Sequence, residues 1–171
     1  MRAVGEQLRP DELELLFVDD GSGDGSFELL RQEAERDARV QVMRLSRNFG
    51  SNAAILAGLT YARGDAVLVL AADLQDPPEL IPELVAAWHA GAEVVVAARR
   101  SRNDPFVSRF FSAGFNRLFR RFVFRDFPPG GFDFLLISRR VARVLARMSE
   151  RNSYIFGQAF WVGFERRIVE Y

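Results

Sequence analysis

Twice in this chain a short apolar run ends abruptly in a group of acids. Val67-Leu68-Val69-Leu70 passes through Ala71-Ala72 into Asp73-Leu74-Gln75-Asp76-Pro77-Pro78, and Leu13–Val18 passes into Asp19-Asp20-Gly21-Ser22-Gly23-Asp24-Gly25-Ser26. An apolar run bounded by turn residues reads as a buried parallel strand. In open α/β sheets ligands occupy the crevice just beyond the carboxyl ends of such strands. Two strands ending in acids bring carboxylates together on one rim, which folding alone does not favour because like charges repel. A bound cation, or a nucleotide offering sugar hydroxyls, accounts for the pattern. Carboxylates with Gln75 as an added oxygen donor suit a hard divalent cation holding phosphate oxygens. The competing reading of the second cluster is a solvated acidic turn that caps a helix starting near Glu79.

The glycines strengthen the first cluster. Three of the five residues 21–25 are glycine, which permits tight turns and close approach of the backbone to a ligand. Ser26 is expected to N-cap the helix that carries Phe27, Leu29, Leu30 and Ala34.

Composition removes several function classes. At 171 residues the chain suits one domain with a useful core. Its formal charge is zero and no polybasic tail is present, so a general nucleic-acid binder is not expected. Without cysteine there is neither a thiolate metal site nor a disulfide. The single histidine, His89, reads as a surface residue rather than a zinc ligand, since zinc needs three or four donors. No apolar run reaches the roughly 20 residues that span a bilayer. Every basic residue is arginine. Phosphoaspartyl receiver domains also gather acids at strand ends, but they need a lysine that this chain lacks. The same lack, with no Gly-x-x-x-x-Gly-Lys, excludes P-loop NTPases.

Patterns of period two and 3.6 alternate at short spacing, which predicts an α/β layer with a mainly parallel sheet. Helices are expected at Arg2–Leu8, Ser26–Asp37, Ser51–Tyr61, Glu79–Ala90 and Arg139–Met148. Strands are expected at Leu13–Val18, Val40–Leu45, Ala66–Leu70, Val94–Ala98 and from Arg167 to Tyr171.

Beyond Asp104 the character changes. Residues 105–134 contain ten of the sixteen phenylalanines, interleaved with Arg109, Arg117, Arg120, Arg121 and Arg125. Phe111, Phe115, Leu118, Phe119 and Phe122 share one helix face. Such a helix can lie in a lipid headgroup layer or pack against a core, and periodicity does not separate the two. Pro128-Pro129-Gly130-Gly131 then forms a stiff turn followed by flexible backbone. Asp133 follows inside the apolar run Phe132–Ile137, where an acid is costly unless paired or employed.

The ordered set Phe17-Val18-Asp19-Asp20-Gly21-Ser22, Arg47-Asn48-Phe49-Gly50, Ala71–Pro78, Gly131-Phe132-Asp133-Phe134, Ser138-Arg139-Arg140 and Trp161-Val162-Gly163-Phe164 resembles family 2 glycosyltransferases of the polyprenyl-phosphate branch, the group of dolichol-phosphate mannose synthases and bactoprenol glucosyltransferases. The resemblance extends over nearly the whole chain. It implies a three-layer, Rossmann-like nucleotide-diphospho-sugar transferase domain with the first strand missing. Residues 1–103 would form the nucleotide-binding half and 104–171 the acceptor and membrane-facing half. It further implies that Asp19 and Asp20 contact the nucleotide, with Arg47 and the Asn48-Phe49-Gly50 turn shaping its pocket. Asp73, Gln75 and Asp76 would hold Mg²⁺ or Mn²⁺ on the donor's diphosphate, Asp133 would sit near the reacting sugar, and Asp73 and Asp133 would be the catalytic residues. The implied partners are a nucleotide-sugar donor, a polyprenyl-phosphate lipid and a membrane surface at its cytoplasmic face, with a homo-oligomer left open.

Three departures stand out. Ala71 occupies the place where the family carries the first acid of an Asp-x-Asp pair. The sequence opens on a helix where the family has a central strand, and it stops before the basic loop and membrane helices usual in the branch. Two alternatives therefore stay open beside the enzyme: a degenerate nucleotide- or membrane-binding module, and a glycosyltransferase with a saccharide acceptor.

Overall fold

The computed structural model describes residues 13–73, 77–98, 134–148 and 154–171. The expected helix at Arg2–Leu8, the Phe/Arg helix, the Pro128–Gly131 turn, Gln75, Asp76 and Asp133 lie outside these residues.

The first unit is a right-sized βαβ crossover. β1 (Leu15–Asp19) is followed by α1 (Ser26–Arg36), and β2 (Val40–Arg44) then lies parallel to β1 in a register that sets Leu15 beside Val40 and Asp19 beside Arg44. α1 begins at Ser26, but the capping position falls to Gly25, in the left-handed region at φ 85°. Asp24 takes the capping role expected of Ser26: its Oδ1 accepts from the Ser26 amide at 3.0 Å and from the Ser26 hydroxyl at 2.6 Å. The serine is displaced inward by one residue because only glycine adopts the turn conformation here without strain.

α2 (Ser51–Tyr61) reaches from this unit to the rest of the molecule. Its sequence is apolar all round, which suits a helix with packing partners on several sides. It lies against β1 and also against α4 (Arg139–Arg147) and α5 (Ile155–Trp161). β3 (Ala66–Val69) follows, then a 3₁₀ turn at Pro78–Leu80 and α3 (Ile81–His89). The single long helix expected at Glu79–Ala90 thus begins as a tighter turn, with Pro82 near the start of α3 where a missing amide costs nothing. His89 is exposed, as expected.

β4 (Val94–Ala98), β5 (Phe134–Ser138) and β6 (Arg166–Glu170) complete a four-stranded sheet in the order β3-β5-β4-β6. β4 and β6 pair in parallel, whereas β5 inserts antiparallel between β3 and β4. β3, β4 and β6 therefore share one direction, and the sheet is parallel apart from β5. Alternation splits the core into two layers. Val94, Val96, Leu135 and Ile137 meet Leu59, Val141, Leu145, Ile155 and Phe160 on one face. Val95, Ala97, Phe134 and Leu136 meet Ile81, Leu84, Ala87 and Val169 on the other. Helices on both faces of a sheet give the three-layer architecture anticipated from the sequence. α4 is capped by Ser138, whose Oγ accepts from the Val141 amide at 3.2 Å.

β1 and β3 are not hydrogen-bonded to each other. Their starting ends are nevertheless joined. Glu14 accepts from the Arg63 amide at 2.9 Å and from its Nε at 3.0 Å, and Arg139, at the start of α4, donates to the carbonyls of Arg63 and Gly64. Burial alone pushes the Glu14 carboxyl up, but the bonds from Arg63 and Gln41 outweigh it and leave the group below its ordinary range. These bonds tie the segment before β1 to the segment before β3.

Candidate nucleotide site at the strand ends

The site is best built from the turn after β1. Asp19 ends the strand with its side chain only 2% exposed. Its Oδ1 accepts from the Ser22 amide at 3.1 Å, folding residues 19–22 into a tight turn. Gly21 sits at φ 75°, and a Cβ there would lie 2.6 Å from the Arg47 carbonyl carbon. No other residue fits, so this turn and the loop after β2 are held backbone to backbone.

Asp20 locks the two together. Its Oδ1 accepts from the Phe49 amide and its Oδ2 from the Gly50 amide, both at 2.8 Å. Gly50, at φ 93°, then leads into α2. Of the residues expected to shape a pocket, Asp20 bonds the Gly50 amide, Gly21 beside it presses on the Arg47 backbone, and Asp19 faces Ser22 and Arg44. The fold also assigns Asp20 a task the sequence did not show: fixing the shape of the 48–50 turn through both carboxylate oxygens. A carboxylate bonded by two amides is oriented in advance and need not reorganise when a ligand arrives.

Arg47 is exposed, with its guanidinium 4.1 Å from the centre of the Phe49 ring. The pair presents a cation and an aromatic face on the rim, a combination suited to a base or a phosphate. Arg44 is the residue that sequence reasoning passed over. It ends β2 opposite Asp19, and its Nε lies 3.3 Å from Asp19 Oδ2. Opposite charges at paired positions on neighbouring strands would have been the signal, but that register is not written in either segment alone.

Asp73 stands exposed after β3. Of the three residues expected to hold a cation it is the only one described, since Gln75 and Asp76 lie outside the described residues. Among the described residues no three His, Cys, Asp or Glu side chains gather as a metal site. The oxygen chemistry of Asp73 fits Mg²⁺ or Mn²⁺. Ala71, also exposed, offers nothing in support.

Residues 1–146 match the family described as glycosyl transferase family 2. The chain belongs to that family. It is 44% identical over its whole length to an uncharacterized glycosyltransferase, YkcC, of Bacillus subtilis, covering 53% of that protein. It is 37% identical over 97% of its length to the bactoprenol glucosyl transferase of Shigella phage SfV, covering 54% of it. The chain thus spans about half the length of these curated relatives. Among solved structures, the Pyrobaculum calidifontis mannosyltransferase PcManGT in complex with GDP-Man and Mn²⁺ superposes with a TM-score of 0.61 at 19% identity, over 94% of this chain and 46% of that one. Such a likeness establishes the fold. Among the described residues no helix of this family 2 chain is long and apolar enough to cross a membrane.

Proposed function

We propose that this chain carries the nucleotide-sugar-binding core of a glycosyltransferase that moves a hexosyl group from a nucleoside diphosphate to a polyprenyl phosphate at the cytoplasmic face of a membrane. The observation that carries this reading is the locked pair of turns: Asp20 gripping the Phe49 and Gly50 amides, with Gly21 pressed onto Arg47. Its place beyond the end of a parallel strand is where such folds bind nucleotides. The similarity to a bactoprenol glucosyl transferase supports the lipid acceptor.

In the reaction an oxygen of the lipid phosphate attacks the anomeric carbon, and the bond from that carbon to the donor's diphosphate breaks with its electron pair leaving on the diphosphate. The transition state has oxocarbenium character, as in other glycosyl chemistry. A lipid phosphate is an anion at neutral pH, so it needs little help from a base. Asp133 is accordingly assigned to orienting the sugar and stabilising its charge. Asp19, Asp20, Arg47 and Gly50 bind and orient the nucleotide. Asp73, with Gln75 and Asp76, would hold Mg²⁺ or Mn²⁺, and the cation would act as a Lewis acid toward the departing charge. Residues 105–125 would provide the lipid-facing surface.

Ala71 favours a second reading, a nucleotide binder that does not turn over. Melting curves with 1 mM UDP or GDP, each with Mn²⁺, test the shared part of both. A rise in melting temperature with one nucleotide is expected, with the metal-dependent share lost in Asp73→Asn. No rise with either would remove the nucleotide site. Transfer of labelled sugar to undecaprenyl phosphate then separates enzyme from binder.

A further inference from the structure

We infer that Arg44 is a positioning residue that sets nucleotide affinity by clamping the turn after β1, an inference that rests on the nucleotide site proposed above. Three contacts of one side chain carry it. Its Nε lies 3.3 Å from Asp19 Oδ2, its Nη2 donates to the Ser22 carbonyl at 2.8 Å, and its guanidinium carbon sits 5.0 Å from the Phe27 ring centre. These partners belong to the end of β1, the glycine-rich turn and the first turn of α1. Arg44 joins all three, and it does so from the end of the strand that feeds the Arg47–Gly50 loop.

The electrostatics make the clamp selective. Asp19 Oδ2 is buried and accepts no hydrogen bond, so among the described residues the Arg44 guanidinium is its counter-charge. Removing one partner of such a pair leaves a buried charge uncompensated, which is strongly unfavourable unless the structure shifts. The shift available is for the turn to open and expose Asp19. That movement carries Asp20 with it, and with Asp20 the Phe49 and Gly50 amides. The contacts of the Arg44 guanidinium run to Asp19, Ser22 and Phe27, all within the protein. Arg44 therefore acts on the nucleotide through Asp19 and Asp20 rather than by touching it.

The test is calorimetric titration of UDP and of GDP, each with Mn²⁺, into the parent protein, Arg44→Ala, Arg44→Lys and the control Arg36→Ala, whose arginine pairs with Glu33 on exposed α1. Arg44→Ala is expected to weaken binding about tenfold or more, because preorganisation is lost. Arg44→Lys should recover part of that loss by restoring the charge, and Arg36→Ala should match the parent. Loss of affinity in Arg44→Ala and in Asp19→Asn should be strongly non-additive in the double variant, which a general loss of stability would not produce. Should Arg44→Ala fail to fold, Arg44→Gln, which keeps a donor to Ser22, carries the same comparison. A folded variant that binds within twofold of the parent, or losses that simply add, overturns the clamp while leaving the site intact. Absence of binding by the parent overturns the nucleotide site and the clamp together.

Discussion

The β1–β2 pair and the β3–β5–β4–β6 sheet are built from similar residues but live in different surroundings. Val94, Val95 and Val96 are 0% exposed, as is Leu135. Leu15, Leu16, Phe17 and Val18 of β1 are only half-buried, though as apolar in sequence. The difference lies in the neighbours. Among the described residues, β4 has a strand on each side and a helix layer on each face, whereas β1 has one paired strand and helices that cover it in part. A strand's burial is set by how many of its four sides are occupied, and its own hydrophobicity only permits that burial. The half-buried pair is also the one that presents the polar turns. Elements that bind ligands are drawn from the less stable end of a fold.

This comparison can be broken by mutation. The largest expected effect is in the buried sheet: Leu136→Ala should cost about 2–5 kcal/mol by denaturant unfolding, and Leu16→Ala less than half as much. Equal losses would mean that β1 is as deeply packed as β5. Next comes the turn. Gly21→Ala must place a Cβ against the Arg47 backbone in a strained conformation, at a cost of roughly 1–3 kcal/mol. Hydrogen exchange should show faster exchange at Phe49 and Gly50, with β4 and β5 amides unchanged. Uniform acceleration across both sheets would show that the two regions open as one unit.

The smallest effect concerns the tie between the two regions. Glu14→Gln should cost about 0.5–1 kcal/mol at pH 7, since Arg63 is largely exposed and the pair is screened. The Glu14 carboxyl is held below its ordinary value of 4.5 in the folded chain. Its contribution is therefore complete above that value and fades as pH falls through the lowered folded value. Parent and variant should differ in melting temperature at pH 7 and converge in acid. A gap that persists in acid would exclude ionisation of Glu14 as its source.

Most of the described elements were legible in the chain, with most bounds within two residues, but β5 and α5 read only as apolar segments without a type. Ser51–Tyr61 and Val94–Ala98 coincide with α2 and β4, because apolar runs there are bracketed by glycine or polar residues. Misses arose where local signals competed. Ser26 looked like a cap, but the glycine before it adopts the left-handed turn and Asp24 supplies the oxygen. The apolar Phe134–Ile137 run gave no sign of its direction, since parallel and antiparallel strands buried on both faces share the same composition.

What the sequence determined by itself was the class of fold, the acids at the ends of β1 and β3, and the glycines that let backbone approach backbone. These follow from local rules, in which periodicity, turn chemistry and conformational freedom act within a few residues. Tertiary structure alone decided that β5 runs antiparallel between β3 and β4, that Asp20 grips a turn thirty residues away, and that Arg44 stands beside Asp19. Each depends on strand register, and register is fixed by the packing of distant segments rather than by either segment's own residues.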